Sequence, residues 1–201
     1  MESINKIKVY HDPTAELEKH YSRHFGYFQY VIEPMSYLLP ELRLYPFPPN
    51  ETRPYWTLAT KGMCVQPLYW PEYEDSERRI ELLIYGKELL PWKLEALYDL
   101  ALYPFRSENY LDYKHVCKRT AVISSKINSN SAFFFMPPIH EQSSFQDFNY
   151  FDNTLNFLWV IPITDREYNF AIGTEGSNAL HDIFIKKPLE FFLDEDRKSV
   201  V

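Results

Sequence analysis

Apolar and polar residues change period several times along this chain, and each change marks an element. From Asp12 to Phe25, Leu17, Tyr21 and His24 recur at helical spacing, continued by Phe28, and predict one core-facing stripe. Asp12 suits the N-cap of that helix, Pro13 its first position and Gly26 its exit. Tyr27 to Glu33, Leu42 to Phe47 and Tyr55 to Met63 are rich in aromatic and branched residues bounded by Pro or Gly, and they read as strands. Pro46, Pro48, Pro49 and Pro54 keep the chain around them at an edge or on the surface.

From Arg79 to Tyr85, Ile80, Leu82 and Ile84 alternate with Arg79, Glu81, Leu83 and Tyr85, which predicts a strand ended by Gly86. Leu90, Leu94, Leu97, Tyr98 and Ala101 then return to a helical period as far as Pro104. Tyr113 to Cys117 and Ala132 to Met136 read as two strands around a polar loop rich in Ser and Asn. Leu155 to Ile161 is a continuous apolar run suited to a buried strand. Thr164-Asp165-Arg166-Glu167 follows it as a capping box that opens a helix. A last helix is predicted from about Ser177, burying Leu180, Ile183 and Phe184, with a charged tail expected to fray. The order predicts an α+β fold: a single domain over residues 1–201, its mostly antiparallel or mixed sheet flanked by helices. Strand and helix do not alternate regularly, which disfavours a doubly wound sheet.

Composition narrows the class but not the function. Apolar residues at 45% and charged residues at 24% fit a globular protein and exclude disorder, collagen and coiled coil as the main architecture. The 5 glycines, where an average chain of this length has about 14, leave no material for Gly-rich phosphate loops. A net charge of −7 with no Lys/Arg concentration argues against nucleic-acid binding. The same acidity serves plain solubility or attracts a basic partner. The N-terminus lacks the apolar core of a secretory signal. Apolar runs such as Phe157 to Ile161 fall far short of the ~20 residues that span a bilayer. A cytoplasmic protein with no membrane association is expected.

Candidate chemistry is sparse. His20 and His24 stand four apart, the spacing of two metal ligands on a helix face, but Tyr21 occupies the place of a metalloprotease Glu. No third ligand has matching spacing, so no metal and no cofactor are expected, and the two read as ordinary side chains of an amphipathic helix. His11, His115, His140 and His181 stand alone. Gly-x-Ser-x-Gly does not occur. Gly173-Thr174-Glu175-Gly176-Ser177 lacks the Lys and length of a phosphate loop and reads as a helix–helix turn, with Gly closing one helix and Ser capping the next. Cys64 and Cys117 are far apart, with reduced thiols the default and a single disulfide the alternative. Lys118 and Arg119 beside Cys117 are of the kind that lowers a thiol pKa, but with no recognisable catalytic partner a reactive thiol is not expected. No catalytic residues are assigned. The candidate partner contact is the segment holding Trp70, Glu72, Tyr73, Glu74, Asp75 and Glu77, where carboxylates surround large aromatics. Its plainer reading is a solvated loop whose charges pair with Arg78 and Arg79.

Three motifs in order carry a resemblance. Trp56-Thr57-Leu58-Ala59-Thr60-Lys61-Gly62-Met63, Arg79-Ile80-Glu81-Leu82-Leu83-Ile84-Tyr85, and Leu158-Trp159-Val160-Ile161-Pro162-Ile163-Thr164 with Glu167 resemble the signatures of the Suppressor of fused-like domain family. The match spans roughly residues 15–190, departing at Lys61 and over Tyr103 to Tyr150. The resemblance implies an α+β domain without a catalytic centre or cofactor, in which Trp56, Thr57, Gly62, Glu81, Pro162 and Glu167 are structural. It implies a protein-binding module, and stand-alone bacterial copies resemble immunity proteins or antitoxins that silence a toxin, often a nuclease. The alternatives are a regulatory scaffold for another intracellular protein, and an enzyme whose site the sequence does not expose.

Overall fold

A computed structural model describes residues 14–33, 36–70, 73–106, 110–118, 130–150, 153–194 and 196–201. Its helices are α1 (Thr14–Phe25), α2 (Pro91–Arg106), α3 (Ser143–Gln146), α4 (Asp165–Ala171), α5 (Gly176–Phe184) and α6 (Leu189–Leu193). Its strands are β1 (Arg43–Phe47), β2 (Trp56–Lys61), β3 (Leu68–Trp70), β4 (Tyr73–Gly86), β5 (Val116–Lys118), β6 (Asn130–Met136), β7 (Asn149–Tyr150) and β8 (Asn153–Thr164). They form one mixed sheet in the order β1-β2-β4-β8-β6-β5, with β3 on β4 and β7 on β8. All pairings are antiparallel except the central one, where β4 and β8 run parallel with Leu82 opposite Leu158. The expected α+β class holds.

Helices cover both faces, which explains the unbroken apolar run in β8. A strand buried on both sides has no polar face to alternate. Leu158 and Val160 face α2, whose Ala96, Leu97, Leu100 and Ala101 share their cluster with Leu58, Leu82 and Phe135. Trp159, Ile161 and Ile163 face the other way, with Phe134, Leu180, Phe184 and Phe192. On that second face α1 adds Leu17, Tyr21 and Phe25 against Tyr45, Ala59, Leu83 and Phe157. Ile80, Leu82 and Trp159 are core residues as expected, whereas Trp56 is only half-buried at the start of β2.

Several expectations need correction. Tyr27 to Glu33 is not a strand, because only Ile32 bridges β1, at Leu44. In that antiparallel register the next bonded position falls at Pro46, which has no N–H to give. The buried side of α1 consists of Leu17, His20, Tyr21 and Phe25, with His24 half-buried and Phe28 beyond the helix. Asp12 and Pro13 lie outside the described residues. α2 runs past Pro104 to Arg106, since a proline in the last turn forfeits few ladder bonds. Ser177 does not cap α5: the N-cap is Glu175 at φ 59°, and the Ser177 hydroxyl donates to the Lys114 carbonyl.

The tail does not fray. Arg197 is buried and forms two hydrogen bonds, of 2.6 and 2.8 Å, with Glu167. Glu167 is itself the third residue of α4, in the capping box predicted from Thr164. Its carboxylate also accepts from the Val200 N–H at 3.1 Å. One buried carboxylate thus starts a helix and holds the C-terminal segment down.

Candidate functional site

The acidic segment lies along a strand rather than in a loop. β3 and β4 meet as a hairpin with Trp70 opposite Tyr73, so Tyr73, Glu74, Asp75 and Glu77 belong to β4, and Glu72 falls outside the described residues. The pairing of β4 with β8 begins at Arg79, so residues 73–78 run past the central sheet with β3 beside them. Arg79 donates to the Cys64 and Val65 carbonyls, and Arg78 reaches Asp112 at 3.4 Å.

Other buried polar groups serve the fold. Gly62 has φ 110°, and a Cβ there would meet the Glu41 carbonyl oxygen at 2.2 Å, so only glycine makes the turn after β2. The N–H groups of Gly62 and Cys64 donate to Glu81 at 2.9 and 3.0 Å, and the Thr60 hydroxyl donates to it at 2.6 Å. Burial pushes the Glu81 carboxyl above its usual range, against the pull of these donors. A second node joins Arg53 to Glu141 by bonds of 2.7 and 2.8 Å, with the Tyr85 hydroxyl donating to the same carboxylate at 2.7 Å. Arg53 also donates to Thr57 at 2.9 Å. Sequence inspection singled out neither Arg53 nor Glu141, because residues so far apart carry no local pattern.

His20 is packed rather than poised. His20 Nε2–H donates to the Phe145 carbonyl at 2.9 Å, with its ring among those of His24, Phe145, Phe148 and Phe157. Among the described residues no three metal-ligating side chains converge. Burial lowers the His20 pKa from 6.5 to about 4, and it lowers those of His24 and His140 as well. The unfolded chain takes up a proton near pH 6.5 that the folded chain refuses until about pH 4. Stability that is complete above pH 6.5 is therefore expected to fall as pH drops through this window. Urea titrations at pH 7 and pH 5 check this, with His20→Phe showing the smaller difference; equal differences would refute the assignment to His20.

Burial raises the Cys117 thiol to about 11, against the pull that Lys118 alone would give. Arg119 lies outside the described residues. Burial, reinforced by Glu81, raises Cys64 too. Cys64 packs on the α1 face of the sheet and Cys117 on the α2 face, so the sheet separates them. Both thiols are expected to resist a water-soluble disulfide reagent at pH 8 until denaturant is added, and fast labelling of native protein would contradict this burial.

The nodes at Gly62–Glu81 and Thr164–Glu167 give structural work to motif positions on β2, β4 and β8. Residues 39–198 match the family described as Suppressor of fused protein (SUFU). The chain belongs to the SUFU family. Solved structures agree in fold. A SUFU homologue from Neisseria gonorrhoeae matches with a TM-score of 0.68 at 18% identity, covering 94% of each chain. A chain of the Sufu–Fu complex matches with 0.62 at 15% identity, over 92% of this chain and 88% of that one. Drosophila Suppressor of fused matches with 0.61 at 15% identity, where this SUFU domain covers 93% of itself and 50% of the Drosophila chain. No curated protein matches in sequence. Among the described residues no helix of this SUFU domain is long and apolar enough to cross a membrane.

Proposed function

We propose that this SUFU domain is a non-enzymatic module that acts in the cytoplasm by holding another protein, in the manner of a regulatory scaffold. The observation that carries this reading is the near full-length likeness to SUFU domains, one of them solved as the Sufu–Fu complex. The ionic groups support it as well. Glu81, Glu167 and Arg197 are consumed in fixing the backbone and Arg53 and Glu141 in bonding each other, while Tyr27 and Tyr37 are exposed as contact area. Cross-linking in the native cell, mass spectrometry and reconstitution with the purified partner test the proposal. A stable stoichiometric complex is expected; partner turnover without complex formation would overturn it.

A narrower form, in which the partner is a toxin and the protein confers immunity, draws on the net charge of −7. A nuclease toxin presents a basic face to phosphate, and an acidic partner is steered towards it. Co-expression with a nuclease toxin from a neighbouring gene, if the genome encodes one there, tests that form: wild type is expected to restore growth. A variant with Glu72, Glu74, Asp75 and Glu77 changed to Ser is expected to bind with a slower on-rate. Failure of wild type to rescue removes the toxin reading, and equal on-rates remove the acidic strand from the contact.

A further inference from the structure

Two open grooves, of about 580 and 490 Å³, meet at the C-terminal end of α1, and Arg23 and Tyr27 line both. The first runs along the helix from Ala15, and the second passes over Pro48 and Pro49. Tyr27 is 89% exposed, an aromatic ring held where it gains nothing from the core. The proline shelf is fixed in advance. The Asn50 amide donates to the Phe25 carbonyl at 3.1 Å, and Asn50 Oδ1 accepts from the Thr52 and Arg53 N–H groups at 3.1 Å each. A surface ordered before binding loses little entropy on contact.

The charges along this groove have one sign left over. Glu18 is taken by Lys61 at 2.7 Å and by the Tyr45 hydroxyl at 3.1 Å, and Lys19 is taken by Glu16 at 2.8 Å. Among the described residues Arg23 forms no ion pair, and the second groove is lined by no carboxylate residue. Arg23 is exposed, and its guanidinium offers the forked donors that fit a carboxylate. Helical rise from Ala15 to Phe25 at the end of α1 gives a track of about 15 Å. That matches about four or five residues of extended chain.

We propose that this groove docks an extended acidic segment of a partner protein. Arg23 pairs with a carboxylate of the segment, and Tyr27 with the Pro48–Pro49 shelf packs its apolar side chain. The proposal rests on the protein-binding reading and names the partner's chemistry at one surface. Panning a displayed random dodecapeptide library on the full chain tests it, with affinities of the synthesised winners measured by fluorescence anisotropy. Peptides with Asp or Glu beside an aliphatic residue or proline are expected, bound less tightly as salt rises. Arg23→Glu and Tyr27→Ser are each expected to weaken them about tenfold or more with unchanged melting curves, and panning on Arg23→Glu is expected to select basic peptides instead.

Winners without acidic residues, or equal binding by wild type and both variants, would overturn the proposal. So would a dimer that Arg23→Glu disperses, since a second copy would then occupy the groove. If the partner protein binds both variants as well as wild type, the groove is wrong and the protein-binding reading stands.

Discussion

Replacing Glu167 by alanine is expected to cost about 3–5 kcal/mol, because it leaves Arg197 buried without its counter-charge. For a chain of this length that corresponds to a fall in melting temperature of about 10 °C. The same change removes the acceptor for the Thr164 N–H and for the Val200 N–H, so the start of α4 and the C-terminal segment loosen together. The double variant Glu167→Ala with Arg197→Ala separates the two contributions. Removing both charges leaves no unpaired buried charge, so the double variant is expected to be more stable than Glu167→Ala alone. Thermal melts of the four proteins settle this; a loss below about 1 kcal/mol in Glu167→Ala would show that the ion pair does not hold the tail.

Trp159→Ala is expected to cost a similar amount, about 3–5 kcal/mol, by a different mechanism. Trp159 is fully buried in the central part of β8, with the rings of Tyr85, His140 and Phe192 at 5.4, 5.4 and 4.8 Å. These neighbours come from β4, the loop before α3, and α6, so no single element can move to fill the void. Urea unfolding measures the loss. Trp56→Ala serves as control, because Trp56 is only half-buried and its removal opens no enclosed cavity. Equal costs for the two tryptophans would mean that β8 is not the central buried strand.

How much of this fold could be read in the chain depends on the range of the forces involved. α1, β4, β8 and the Thr164 capping box follow from local periodicity and capping chemistry, and they were legible. The register that places β8 parallel to β4 was not, since nothing near Leu158 specifies Leu82 as its neighbour. The same holds for Arg197 and Glu167, and for Arg53 and Glu141, whose pairing only the folded topology creates. The Tyr27–Glu33 segment shows the reverse error: its composition suits a strand, but an edge strand carrying Pro46 denies it a ladder. The candidate contact around Trp70 to Glu77 was legible as composition but not as a strand, because charged residues carry little strand signal. The groove at Arg23 and Tyr27 was not legible at all, for it forms only when the Pro48–Pro49 turn folds beside the end of α1.

The parallel junction at the middle of the sheet also sets the order in which a growing chain can acquire its shape. β1, β2 and β4 pair antiparallel with near neighbours in sequence, and α2 follows at once to cover one face of them. β4 must then wait for a partner that is synthesised after β5, β6, α3 and β7. Throughout that interval its inner margin presents open amide and carbonyl groups beside a bare apolar surface, a template for pairing with the wrong chain. Contacts spanning so much sequence also fold slowly. During translation, then, the half-made molecule is most vulnerable to aggregation between the emergence of Gly86 and that of Asn153, and chaperone occupancy is expected to peak there.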